Sequence, residues 1–222
     1  MELTLKEKFL ILAYDPLKGK NLATNFISYG LAGAILMELA ELNRIRIEKK
    51  RVKLTGHQRT GDHVLDNALS LIDKGSRPLK VKTVVGKINR KPRQFRKVLI
   101  RQLIEKRYLK EVKKRFLFIP YKLYPSANIS YSKTLIDSFR RLVLRNESAD
   151  DQHLVMLAGL AGACKFSGKF FKTKEERKRA KTRIKAIVKE SEIDTAIAET
   201  IREVQAAVLI TVTTTAAVAG SS

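Results

Sequence analysis

Between positions 88 and 115 the chain reads INRKPRQFRKVLIRQLIEKRYLKEVKKR, and the chemistry such residues offer is the binding of phosphate. A guanidinium fork pairs with two phosphate oxygens at once, whereas a lysine ammonium acts as a mobile point charge. From Arg77 to Arg115 there are sixteen basic and two acidic residues, net +14; from Lys165 to Lys185 there are ten and two, net +8. These two segments hold nearly all of the formal charge of +23, so the rest of the chain is close to neutral. Charge concentrated in this way repels itself unless a polyanion is the partner. Nucleic acid and an anionic membrane are the two partner classes that fit. A uniformly solubilised surface is the plainer reading, and the concentration of the charge disfavours it.

No catalytic constellation accompanies the cations. His57, Asp62, His63 and Asp66 lie close in sequence, but their spacing matches no established helix-borne metal site. Asp62 and Asp66 suit the exposed amides at a helix start better than acid-base work. There is no phosphate-cradling glycine loop, no Gly-x-Ser-x-Gly elbow and no Cys-His pairing. The reading is a non-enzyme with no metal and no cofactor. Cys164 is the single cysteine, which excludes a disulfide framework and fits a reducing, cytosolic compartment.

A second cluster differs in kind. In CKFSGKFFKTK, Phe166, Phe170 and Phe171 alternate with lysines. One reading places Lys169, Phe170 and Phe171 at a membrane, rings at the headgroup level and lysines on the phosphates. The other packs one or two of the rings in the core.

These residues need elements to hold them, and 222 residues that are 44% hydrophobic can bury a core. Thr4 and Glu7 form a capping box that predicts a first helix from near Leu5, ending before Pro16. The start, MELTLKEKFLIL, lacks the pattern of a signal peptide. Positions 21–43 form a long apolar helical segment in which Gly30 and Gly33 mark close packing or a break. Ile45, Ile47, Val52 and Leu54 alternate with charge about a turn at Lys49 and Lys50, as in a hairpin. LDNALSLIDKG reads as a short helix stopping at Gly75.

Between Arg93 and Arg107, Phe95, Leu99 and Leu103 share one helical face, and Arg93, Lys97 and Arg101 the opposite one. A second hairpin follows, with its turn placed at Lys113 and Lys114. LAELNRIRIEKKRVKL can be laid over LIEKRYLKEVKKRFLF. Both read as a helix followed by a basic-tipped hairpin, the outline of a winged helix, which keeps nucleic acid open as a partner. Helices resume after IPYKLYPSANIS, and the uncharged stretch from Val204 reads as a buried helix rather than a membrane span, given its glutamine and threonines.

Several stretches, taken in order, resemble the Golgi phosphoprotein 3 family: LTLKEKFLIL, ISYGLAGAILMELAELNRIRIE, TGDHVLDNAL, RQLIEKRYL, FLFIPYKLYP, AKTRIKAIV and VQAAV. The resemblance spans nearly the whole chain and identifies it as a compact, prokaryotic-type member. It implies one mostly α-helical domain over residues 1–222, a helical bundle ringed by amphipathic helices with one or two β-hairpins. It also implies a peripheral membrane protein that binds phosphatidylinositol 4-phosphate and acts as an adaptor for membrane proteins. In the family's phosphate pocket, two arginines three apart correspond to Arg93 and Arg96. The tryptophan and the other arginine of that pocket are replaced here by Ala23 and Ala32.

The function expected is therefore peripheral binding to anionic lipid on the cytoplasmic, inner face of a membrane. Arg93 and Arg96, with Arg90 and Lys97 beside them, form the headgroup site. The cytoplasmic tails of membrane proteins are the expected protein partners. The family hairpin, linked to self-association, corresponds to residues 108–119, with Phe116 and Phe118 as its contact residues. Nucleic-acid binding through the helix-plus-hairpin units is the alternative.

Overall fold

The computed structural model describes residues 2–56, 58–73, 77–144, 151–190 and 195–219, with side chains described outside 188–201 and 215–219. Helix α1 (Leu5–Ala13) starts where its capping box predicts, the Glu7 carboxylate accepting from the Thr4 N–H at 3.1 Å. All nine of its residues are buried, Lys6, Glu7 and Lys8 included. It packs against α2 (Ile27–Glu41), which follows a short 3-10 helix at Thr24–Phe26, and against α7 (Gln152–Ala163). None of these three can present a polar stripe to water, and together they make the centre of the bundle.

The two glycines of α2 explain how closely the central helices meet. A Cβ on Gly30 would lie 2.2 Å from the Phe9 ring and 2.7 Å from the Cys164 sulfur, and one on Gly33 would lie 2.6 Å from Leu160. A side chain at either position would displace these neighbours, so the close-packing reading of these glycines holds and α2 runs through them unbroken.

The outer helices are amphipathic. On α3 (His63–Asp73) Val64, Leu65, Ala68, Leu71 and Ile72 face inward, and on α4 (Val81–Asn89) Val84, Val85 and Ile88 do, the i, i+3, i+4 spacing of a one-faced helix. α5 (Arg96–Glu105), α6 (Ile129–Leu144) and α8 (Lys174–Glu190) follow the same rule. α9 (Thr195–Ala219) buries Val204, Val208 and Val212 against α2, α4 and α7, yet leaves Leu209 and Ile210 exposed. The uncharged stretch is thus a helix with one buried face. Among the described residues no helix is long and apolar enough to cross a membrane. Gly75, the expected stop of α3, lies outside the described residues.

Two antiparallel hairpins complete the fold. β1 (Ile45–Glu48) and β2 (Arg51–Leu54) pair with Glu48 opposite Arg51, and Lys49 and Lys50 turn the chain at φ +47° and +62°, as expected. A short β3 (Leu79–Lys80) adds to β2. In the second hairpin, β4 (Val112–Phe116) and β5 (Ile119–Leu123) pair with Phe116 opposite Ile119. Its turn is Leu117–Phe118, not Lys113–Lys114, so the expected position is corrected by four residues. The basic triplet lies along a strand, and the similarity between the two helix-plus-hairpin units stops at the tip.

Candidate functional site

The segment joining α4 to α5 is short and stitched by its own backbone. The Lys91 N–H donates to Ile88 O, Phe95 N–H to Lys91 O at 3.3 Å, and Lys97 N–H to Pro92 O at 2.9 Å. Phe95, 1% exposed, anchors the turn in the core. With the backbone fixed and its one ring buried, the cations are left outside: Arg90, Arg93 and Lys97 are exposed and Arg96 is half-buried. Arg93 lies in the turn rather than on the helix, which begins at Arg96. None of these four has an ion-pair partner among the described residues. The chain carries no carboxylate between Asp73 and Glu105. Arg96 and Lys97 open the first turn of α5, where a helix dipole favours negative charge, so the arrangement is unfavourable by itself and suits an external anion.

The charge of Arg96 is felt by a tyrosine pair. Tyr14 and Tyr124 meet edge to face with centroids 5.4 Å apart. Burial pushes the Tyr14 hydroxyl up to about 12 and also raises Tyr124, and in both the positive charge of Arg96 opposes the shift. The same tyrosines hold the loop 15–22. Tyr124 N–H donates to Gly19 O at 3.0 Å and Ser126 N–H to Pro16 O at 2.9 Å. Gly19 has φ +65°, and a Cβ there would lie 2.3 Å from Pro125 N, so no other residue fits. The loop so held presents Leu17, 68% exposed, between the exposed Lys18 and the acidic, half-buried start of the loop. A leucine flanked by Pro16 and Lys18 in a loop is a signal that the reading of helix and strand patterns passes over.

The aromatic cluster after α7 resolves in favour of the core. Phe171 is 2% exposed and lies 6.4 Å from the Phe139 ring; Phe170 is half-buried, 5.0 Å from Phe139 and 5.9 Å from Phe166. Of the residues read as a membrane contact, Lys169 is exposed, Phe170 is half-buried and Phe171 is buried, so Phe171 follows the core-packing reading. Three aromatic rings satisfy one another better than they would a headgroup layer. Phe116 and Phe118, by contrast, are 70% and 97% exposed.

Asp62 caps α3, accepting from Val64 and Leu65 N–H at 2.8 and 3.0 Å, and Asp66 accepts from Thr60 N–H at 2.7 Å. Both carboxylates therefore stabilise local backbone. His57 lies outside the described residues, and among those described no group of three potential ligands could hold a metal.

The family model described as Golgi phosphoprotein 3 (GPP34) matches residues 5–207. The chain belongs to this family. It is 29% identical to the vacuolar protein sorting-associated protein 74 of Eremothecium gossypii and 30% identical to that of Schizosaccharomyces pombe, in each case over 60% of this chain and 46% of the relative. It spans about half the length of these relatives. In this Golgi phosphoprotein 3 family member, Ala23 is 1% exposed and Ala32 is fully buried. Neither carries a polar side-chain group.

Proposed function

We propose that this protein docks peripherally on an anionic membrane surface through Arg93 and Arg96, with Arg90 and Lys97 beside them, and serves there as an adaptor for membrane proteins. The observation that carries the reading is the set of surface cations, without ion-pair partners among the described residues, at the turn into α5 of a Golgi phosphoprotein 3 family chain. Each basic residue held near an anionic leaflet contributes about 1 kcal/mol, so four of them bind appreciably before any specific contact forms. The exposed Leu17 adds an apolar residue able to enter the headgroup region. A peripheral position on the cytoplasmic face follows from this reading, as does the capture of membrane-protein tails. With Ala23 and Ala32 buried, the site selects for phosphate charge rather than for one phosphoinositide.

The test is co-sedimentation with vesicles of neutral lipid, of neutral lipid plus phosphatidylglycerol, and of neutral lipid plus phosphatidylinositol 4-phosphate at matched charge. Duplex DNA is added as competitor. Equal binding to the two charged vesicles supports the reading. Failure to bind either while DNA is retained overturns it in favour of nucleic acid.

A further inference from the structure

The second basic segment is not used by that site. It lines a groove of about 700 Å³ enclosed by the end of α7, the turn 167–170, α8 and α9, within the range of about 300–1,000 Å³ occupied by small-molecule sites. The floor is made largely of small residues, Gly159, Gly162 and Ala163 from α7 and Ala206 from α9, with the Gln205 side chain lying against Gly159 and Ile184 and Leu209 as walls. This gives an apolar trough into which a methylene chain fits. Leu209 and the neighbouring Ile210 are 44% and 54% exposed, so the apolar track continues beyond the groove onto the outer face of α9.

The rim is cationic throughout. Lys165, Arg177, Lys181, Lys185 and Arg202 line the groove, and no carboxylate does. Arg177 is fixed by donating to the Phe171 and Lys172 carbonyls at 3.0 and 3.1 Å. It is followed at one-turn intervals on α8 by Lys181 and Lys185, and like charges at that spacing destabilise a helix unless an anion lies between them. Neither lysine has an ion-pair partner among the described residues. Gln205 also lines the groove, its amide packed against Gly159.

We infer that this groove binds one phosphate-headed lipid chain, its head held by Lys181, Lys185 and Arg202 and its alkyl tail laid along the small-residue floor. Apolar floor and cationic rim together demand an anionic amphiphile; a hydrophilic anion would leave the floor wet, and a neutral detergent would leave the rim unpaired. The enclosed volume suits a small ligand, whereas a stable protein interface buries a much larger surface. The site is built from elements other than those carrying Arg93 and Arg96, so it stands or falls apart from the headgroup reading.

Isothermal titration of the full chain with dodecyl phosphate below its micelle concentration tests this, with inorganic phosphate and dodecyl maltoside as comparisons. Saturable binding of one dodecyl phosphate per chain is expected, with both comparisons weaker by about tenfold or more. Lys181→Glu/Lys185→Glu, at two exposed positions, should weaken it at least as much. Ala206→Trp should block the chain while leaving every cation in place, and Lys49→Glu/Lys50→Glu, at the exposed turn of the first hairpin, should leave binding unchanged. The inference is overturned by equal affinity for inorganic phosphate, or by folded variants of both groove types that bind like the parent. It is also overturned if an acidic amphipathic peptide binds the groove and dodecyl phosphate does not, which would make the groove a protein interface.

Discussion

Lys6 Nζ lies 2.9 Å from Glu38 Oε1, with the lysine side chain 1% exposed and the glutamate 10%. Asp62 Oδ2 is also 2.9 Å from the same ammonium. Burial opposes the charge on Lys6, but its two carboxylate partners outweigh it and hold the lysine pKa above its usual value. Glu38 is raised by burial against the pull of Lys6.

Replacing Lys6 by Met leaves Glu38 buried without a counter-charge, which costs about 3–5 kcal/mol. Urea unfolding should show that loss, and Lys6→Met/Glu38→Leu should recover most of it, because a well-packed apolar pair replaces a buried ion pair at little cost. The loss should also depend on pH. A carboxyl with its folded pKa raised favours the folded state at low pH, so the Lys6→Met penalty should shrink as pH falls toward 4.5, the ordinary glutamate value. A single variant as stable as the parent would remove the pair from any account of the core.

His153 gives the opposite end of the pH scale. Its Nε2 lies 3.4 Å from Glu41 Oε1, and the hydrogen bond to Glu41 raises its pKa despite burial and the nearby Lys8 charge. A base with a raised folded pKa contributes stability that is complete below its ordinary value of 6.5 and is lost as pH rises through the folded value. Melting temperature should therefore fall as pH rises above 6.5, and His153→Gln should flatten that slope. A parent profile with no slope in that window would mean that Lys8, 3.3 Å from Nδ1, keeps the ring neutral.

Charge reversal separates a headgroup site from diffuse attraction. Arg93→Glu/Arg96→Glu removes two cations and adds two anions, a change of about 4 kcal/mol at a membrane surface, or about a thousandfold in affinity for phosphatidylglycerol vesicles. Arg93 is exposed and Arg96 unpaired, so the melting temperature should hardly move. Reversal of Lys172 and Lys174, exposed elsewhere on the chain, is the control. Equal losses from both pairs would dissolve the idea of a localised site.

What was legible in the sequence follows from where side-chain pattern alone decides. The capping box of α1, the turn at Lys49–Lys50 and the one-faced helices carry their signal in local spacing, and the structure keeps all three. The cationic face of the 93–107 segment was legible because Phe95, Leu99 and Leu103 had to face inward. Phe170 and Phe171 were ambiguous, because lysines on either side resemble an interface and only the fold brings Phe139, some thirty residues earlier in the chain, against them. The Lys6–Glu38–Asp62 cluster joins three elements across the sequence and leaves no local trace. The groove beside α8 is hidden for the same reason, since its floor belongs to α7 and α9.

The second hairpin was misread at its tip for a physical reason that makes a prediction. Two-residue turns favour Gly, Asn or Asp because φ is positive, and here Leu117 takes φ +53° with Phe118 beside it. Phe116, Leu117, Phe118 and Ile119 are 68–97% exposed, each forgoing about 1.5–3 kcal/mol of burial. An apolar patch of this kind on a two-stranded ribbon marks a contact surface, and self-association is the contact expected of it. Phe116→Ser/Phe118→Ser should abolish concentration-dependent sedimentation while changing stability by no more than about 0.5 kcal/mol. Leu117→Gly should relieve the left-handed backbone and raise stability by roughly 1 kcal/mol, weakening association at the same time. Identical sedimentation of the parent and the double serine variant at every concentration would reassign the tip from self-association to another partner.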